Sequence, residues 1–417
     1  MNLMKPLLAL SLLTAAANAS ATDGYFAHGY GVKSQGMGGV GIALPQDAIA
    51  AASNPAGMGL IGDRMDVGMT WFRPIRESEF TAPNPTAATY NANDTKNFLI
   101  PEFGYNRQIN PDVTLGVSVY GNGGMNTDYK NGVPLLNGGT SNTTGIDLIQ
   151  VFVAPTVTWK LTPANTIGLA VNLAYQRFEA KGLQSFTDSS AYPNNLSDNG
   201  HDGSYGAGLH LGWVGQVNDK LSVGATYQSR TLMTKFDKYK GLFAEQGDFD
   251  IPSSYGMGLA IKASPALTLA ADIQRTLYSK VDSVGNSINN LFSNNQLGTD
   301  NGPGFAWKDV TAIKLGASYA YNNALTVRAG YNHSSQPIRK NETLFNVLAP
   351  GVVQDHLTFG ATWSLSDQSE ISLAYMHAFE NEVRGNNSIP SSAPFGGGEA
   401  NLRMHQDSLG IAYGWKL

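Results

Sequence analysis

Residues 407–417 read DSLGIAYGWKL, and they bear directly on the fold. Leu409, Ile411, Tyr413, Trp415 and Leu417 fall on one face of an extended chain. Ser408, Gly410, Ala412, Gly414 and Lys416 fall on the other. Successive side chains of a strand point to opposite faces, so one face here is continuously apolar and ends in aromatics. A lipid-facing strand with an interfacial girdle has this pattern. An amphipathic strand of a soluble sandwich would share it, so the decision passes to the other end of the chain.

There, Lys5 precedes an apolar run, PLLALSLLTAAA, at residues 6–17, followed by small residues at Ala19 and Ala21. The layout predicts a secretory signal peptide over residues 1–21, cleaved before Thr22, with cleavage after Ala19 the alternative. The run is shorter than the ~20 residues a spanning helix needs, and no later stretch approaches that length. Membrane residence therefore implies a barrel.

Composition agrees with this. The 417 residues contain no cysteine, 47 glycines, 18 tyrosines and 17 phenylalanines, and only 42% are hydrophobic. A barrel accounts for the modest hydrophobicity, since half of each strand faces lipid and half a polar or mixed lumen. The formal charge of -5 argues against nucleic acid, which selects clustered Lys and Arg.

Period-two segments recur along the chain. Met65, Val67, Met69 and Trp71 alternate with small or polar residues, as do Val113, Leu115, Val117 and Val119, and Ile167, Leu169, Val171, Leu173 and Tyr175. Counting all such segments gives about fourteen strands, an even number as single-chain bacterial barrels require. Short connections with turn chemistry, such as Asn110-Pro111-Asp112 and Ser264-Pro265-Ala266, are expected on the periplasmic side. Long polar ones, including 122–142, 182–199, 235–250, 283–304, 336–352 and 383–401, are expected outside.

Residues 22–62 break the alternation. They are small, apolar and rich in glycine, with a helical turn expected over 47–52 and ended by Asn54-Pro55. Such a segment ahead of a wide barrel reads as a plug. The predicted fold class is thus an all-β transmembrane protein: an antiparallel outer-membrane barrel of roughly fourteen strands over 63–417, with a small, partly helical N-terminal hatch over 22–62 in its lumen.

The plug contains Gly36-Met37-Gly38-Gly39-Val40-Gly41, Asp47-Ala48 and Ser53-Asn54-Pro55-Ala56. Further along stand Tyr120-Gly121-Asn122-Gly123-Gly124, Pro252-Ser253-Ser254, Trp307-Lys308-Asp309, Asp355-His356-Leu357 and Tyr375-Met376-His377. In their order and spacing these elements resemble the FadL-type outer-membrane transporters of long-chain fatty acids and other hydrophobic compounds. The resemblance implies a fourteen-stranded barrel closed by a hatch, and passive uptake of long-chain fatty acids or similar compounds. Aromatic or alkane hydrocarbons are the alternative cargo, and a non-transport surface barrel, adhesin or antigen, is the rival role. It also implies that Tyr25, Phe26 and His28 contribute to an inner binding site, and that Arg177 matches a cation near the ligand. Gly121, Gly123 and Gly124 would kink the third strand to open the wall sideways near Asn54, Pro55 and Ala56.

Parity qualifies the cations. Arg177 shares the face of Leu173 and Tyr175, so it points outward unless a bulge intervenes or it stands above the bilayer. Lys314 is expected to face a similar difficulty, and Arg275 shares the face of Ile273. Paired large apolar residues in the long loops, with Phe243, Phe292 and Phe345 foremost, are candidates for capturing a hydrophobic ligand.

Gly36, Gly38 and Gly41 satisfy G-x-G-x-x-G but lack the preceding strand and the distant carboxylate of a dinucleotide site, so tight packing is the expected use. No G-x-S-x-G, H-E-x-x-H or metal-ligand spacing occurs, which predicts no enzyme, cofactor or metal. The expected partners are a hydrophobic small molecule, outer-membrane lipid and lipopolysaccharide, and the barrel-assembly machinery, with no nucleic acid. The protein is expected to be a monomer of the bacterial outer membrane.

Overall fold

In the computed structural model, which describes residues 22–140, 143–391 and 395–417, hydrophobic alternation is realised as fourteen long antiparallel strands. They are β1 (Arg64–Phe80), β2 (Phe98–Gln108), β3 (Val113–Tyr129), β4 (Thr144–Thr162), β5 (Asn165–Lys181), β6 (Asp202–Gln216) and β7 (Leu221–Gln228). The second half comprises β8 (Ser254–Lys262), β9 (Leu267–Thr276), β10 (Val310–Ala320), β11 (Leu325–Ser334), β12 (Asp355–Ser364), β13 (Ser369–Val383) and β14 (Ala400–Lys416). Two short strands, Thr89–Asn91 and Leu232–Met233, pair at the rim with β1 and β6. The sheet closes where β1 pairs with β14, from Arg64 opposite Lys416 to Phe80 opposite Ala400. Closure joins the first strand to the last, the condition for a sheet to cross lipid. The leader expected over 1–21 lies outside the described residues.

The alternation of β14 appears as expected: Leu409 and Ile411 are exposed, while Gln406 and Ser408 are buried. Trp159, Trp213, Tyr319 and Trp363 stand on the outer face beside the short turns. Tyr205, Tyr227, Tyr255, Tyr331 and Tyr375 stand on it toward the long loops. The two sets form aromatic girdles on either side of an aliphatic band.

Several strands outrun the sequence pattern. β3 continues through Tyr129, where a loop was expected from residue 122, because backbone pairing with β4 needs no apolar side chains. The glycines bend this strand without ending it: the β3–β4 register slips between Gly121 and Gly123, leaving Asn122 as the extra residue of a bulge.

Residues 22–62 fill the lumen as a short helix (Val32–Gln35) and two 3-10 turns (Ala50–Ala52, Pro55–Leu60). The turn expected from residue 47 starts at Ala50, with the Asp47 carboxylate accepting from Ile49 N at 3.0 Å just ahead of it. Carboxylates on the wall hold the segment by its backbone. Asp272 accepts from Gly41 N (2.8 Å) and Ile42 N (3.0 Å), Glu102 from Gly31 N and Val32 N, and Asp66 from Ala48 N. Irregular backbone in a lumen needs such partners, because its N–H groups have no ladder of their own. The glycine motif serves close packing: a Cβ on Gly330 of β11 would lie 2.1 Å from Gly38 N.

Candidate functional site

The long loops fold over the outer mouth and line a pocket whose walls are almost wholly apolar. Phe178, Phe186, Phe243, Phe305, Phe345 and Leu348 are among its lining residues. Of the loop candidates, Phe243 and Phe345 therefore reach the pocket. Phe292 does not: it is 46% exposed and meets Phe395 edge-on at 5.9 Å. From there the rings continue inward, Phe395 to Phe186 at 6.0 Å and Phe186 to Phe345 at 5.1 Å.

On the far side of the pocket a second file of rings descends. Phe178 contacts Phe243 at 4.7 Å, Phe243 contacts Phe249 at 4.8 Å, and Phe249 lies 6.1 Å from Tyr25. Tyr25 also packs on Phe26, Tyr278 and Trp307, so the start of the luminal segment is embedded in an aromatic cluster. Tyr278 fixes it by accepting from the Tyr25 and Phe26 amides at 3.2 and 3.1 Å and donating to Asp23 O.

This segment is stitched to the bulge of β3. Gly124 N donates to Tyr25 O at 2.9 Å, Ala27 N donates to Asn122 O, and Tyr30 donates its hydroxyl to Asn122. Beside the bulge the backbone pairing of the wall lapses. β2 and β3 pair only from Gln108 opposite Thr114 to Phe103 opposite Val119. Beyond that the pairing stops until Asp128 of β3 bonds Ala92 and Asp94 of the preceding loop. The window lies between residues 98–102 and 120–127. A narrow inner crevice and an outer, polar cavity both border it, for Phe98 and Asn126 line each.

The triplet Asn54-Pro55-Ala56 is elsewhere, contrary to the placement that the resemblance implies. Asn54 Nδ2 donates to Ile42 O (2.7 Å) and Trp213 O (3.0 Å), and its Oδ1 accepts from Ala56 N. The triplet sits against β5 and β6, where Gly168 and Gly212 leave no room for a Cβ. Residues Tyr25 and Phe26, not the triplet, meet the kink.

The cations also sort differently. Arg177 stands on the outer face with no bulge in β5, 3.2 Å from Asp147, and is not brought to the Tyr25 cluster. Arg275 is likewise outside, paired with Asp309. Lys314 corrects the expectation made for it: Ile313 and Leu315 are exposed, so Lys314 points inward and is 4% exposed. Its Nζ donates to His28 O at 2.8 Å and lies 3.3 Å from Asp23. His28 stacks on His356 with ring centroids 6.1 Å apart, and burial pushes its imidazole down to about 3, with His356 adding to the effect. Among the lining residues, Trp307 stood in a quoted motif without a role. Phe186, Phe249 and Phe395 carried no local signal, because only loop folding brings them together.

The profile of the outer membrane protein transport protein family (OMPP1/FadL/TodX) matches residues 13–416. An outer membrane protein of Neisseria meningitidis serogroup B is 23% identical over 469 residues, covering 100% of this chain and 99% of that one. Among solved structures, the toluene transporter TodX of Pseudomonas putida superposes with a TM-score of 0.72 at 20% identity, covering 94% of this chain and 99% of that one. A Pseudomonas aeruginosa FadL homologue gives 0.68 at 15% identity, covering 96% and 100%. The Ralstonia pickettii toluene transporter TbuX gives 0.64 at 18%, covering 93% and 98%. A closed barrel, girdled for lipid and matched to the family profile along nearly its whole length, belongs to the OMPP1/FadL/TodX family of outer-membrane transport proteins.

Proposed function

We propose that the protein takes up long-chain fatty acids or similar hydrophobic compounds passively, in three stages. The ligand is captured by the loop pocket, handed along the aromatic file to the Tyr25 cluster, and released sideways through the window between β2 and β3. The single observation that carries this reading is the placement of the window. It opens beside the one stretch of β3 that is bonded to Tyr25 and Ala27, so a shift of the luminal segment and access to lipid are mechanically linked. A ligand that prefers the shifted arrangement would populate it without any energy source. Sideways exit spares a greasy molecule from crossing water.

The second reading is a monoaromatic or alkane cargo. The near absence of polar groups in the loop pocket favours it, and two of the solved structures quoted above are of toluene transporters. An adhesin or antigen role has no comparable support, and family members are channels, not enzymes.

The test uses the absence of native cysteine. Ile100 and Gly121 face each other across the window, a Cβ on Gly121 lying 2.9 Å from Ile100 Cγ2. The double variant Ile100→Cys, Gly121→Cys, once oxidised, should block uptake of oleate and toluene in a strain lacking other such channels, and reductant should restore it. Undiminished uptake by the cross-linked protein would place the exit elsewhere. Equal uptake with and without the protein would end the transport reading altogether.

A further inference from the structure

The outer face of the barrel is charged at one rim and apolar at the other. Two residues beyond the outward Trp71, Tyr175, Ile273, Tyr331 and Tyr375, toward the long loops, stand Arg73, Arg177, Arg275, His333 and His377. The same step beyond Trp159, Tyr319 and Trp363, toward the short turns, reaches the exposed Leu161, Tyr321 and Leu365. Arg107 is an exception there, paired with Asp63. At the long-loop rim the cations are densest around β9. Arg275 donates from Nη1 to Thr311 at 2.9 Å and from Nη2 to Asp309 at 3.1 Å, and Asp309 also accepts from Ser279 N and Oγ. The carbonyl of the next residue, Lys280, accepts from Arg230 Nη2. Arg230, Arg275 and Lys280 are thereby gathered round the turn Tyr278–Lys280, and Lys308 adjoins Asp309 in the chain. The cations are the outward members of their pairs. The Arg230 and Arg275 side chains are 40% and 42% exposed, those of Asp250 and Asp309 only 7% and 16%. Asp248, also near Arg230, is half-buried. Among the described residues no carboxylate lies within 4 Å of Lys280 or Lys308.

Below this cluster the wall offers an aliphatic surface. Arg275 pairs across from the girdle residue Tyr255, and the next outward row down the strands is Met257, Ile273 and Ile313, all exposed. The row after that sets the small Ala271 between Leu259 and Leu315, which leaves a shallow furrow. Fixed cations at girdle height, continuous with an apolar furrow below, match an anionic lipid standing in the leaflet. We propose that the outer face over β7–β10 binds a phosphorylated glycolipid of the outer leaflet, lipid A of lipopolysaccharide. Arg230, Arg275 and Lys280 grip its phosphates, and its acyl chains lie along the furrow. Guanidinium groups offer paired N–H donors that fit phosphate oxygens. The furrow selects a lipid over a soluble phosphate, because a free anion has no use for it. Round the closed sheet β9 is six strands from β3 and seven from β2, so the site is remote from the window and independent of the transport reading.

The experiment titrates the purified full-length barrel in detergent with bisphosphorylated lipid A and counts bound lipid by native mass spectrometry. Each protein is first checked for the heat-dependent gel mobility of a folded barrel. The triple variant Arg230→Gln, Arg275→Gln, Lys280→Gln should raise the half-saturation concentration about tenfold or more, the scale of one or two charge-assisted hydrogen bonds. Arg107→Gln, at the opposite rim, should leave it within about twofold. Lipid A stripped of its phosphates should bind the wild-type protein about as weakly as intact lipid A binds the triple variant. No binding by the wild type, or equal binding by the triple variant, would overturn the proposal. So would equal binding of stripped and intact lipid A, since apolar contact alone would then hold the lipid. Displacement of lipid A by inorganic phosphate at the same concentration would overturn the lipid assignment in favour of a soluble anion. Should the triple variant fail to fold, Arg275→Gln and Arg275→Lys are compared instead. A severalfold loss with Gln that Lys largely restores supports the site, and wild-type binding by both overturns it.

Discussion

The carbonyl oxygen of Tyr25 lies 2.9 Å from the amide nitrogen of Gly124, and a Cβ placed on the neighbouring Gly123 would stand 2.0 Å from the same oxygen. The luminal segment and the bulge of β3 therefore fit only because residue 123 has no side chain. Gly123→Val should displace Tyr25 and Phe26, break the bonds to Asn122 and Gly124, and reduce uptake about tenfold, as the loss of one or two backbone hydrogen bonds implies. The barrel itself should fold, as judged by heat-dependent gel mobility. Wild-type uptake by this variant would show that the contact has no part in transport.

Asn54 should stabilise the luminal segment without stabilising the wall. Its amide satisfies the carbonyls of Ile42 and Trp213, and its Oδ1 caps the turn that begins at Pro55. Asn54→Ala should cost about 3 kcal/mol locally, seen as faster hydrogen exchange over residues 40–60 with unchanged exchange in β5 and β6. Equal acceleration in the strands would mean that segment and wall unfold as one unit.

Phe243 and Phe292 separate pocket from surface. Phe243→Ala removes a buried ring from the wall of the loop pocket and should weaken binding of a fluorescent fatty acid about tenfold, the scale of one lost aromatic contact. Phe292→Ala removes a half-exposed ring and should change binding less than about threefold. A reversed order would move the capture site outward to the Phe292–Phe395 pair.

His28 predicts an acid response. Its ring is held neutral by burial, and His356, Asp23 and Lys314 face it. Its value, lowered to about 3, lies below that of an exposed ring near 6.5, so the native segment is favoured in full above 6.5 and loses that support as pH falls toward 3. At pH 5 the local loss should be about 2 kcal/mol, read as faster exchange, corrected for its intrinsic pH dependence, over residues 22–40, and His28→Asn should flatten the dependence. Identical protection at pH 7 and pH 5 would show that protonation of His28 does not govern the segment.

Much of this was legible in the chain because a strand reports its environment locally. Two neighbours suffice to say which side of residue 409 meets lipid, so strand number follows from alternation, and its failure over 22–62 sets that segment apart from the strands. Lys314, expected from sequence to point outward, was placed in the lumen only by the structure. Tertiary structure decided what depends on meetings between distant residues. Tyr25 reaches Gly123, Asn54 reaches Gly212, and Phe186, Phe249 and Phe345 converge only after the long loops have folded. The window itself is an unmade pairing between β2 and β3. Sequence periodicity records which groups each strand must hide, but an absent partner is a property of three-dimensional placement alone.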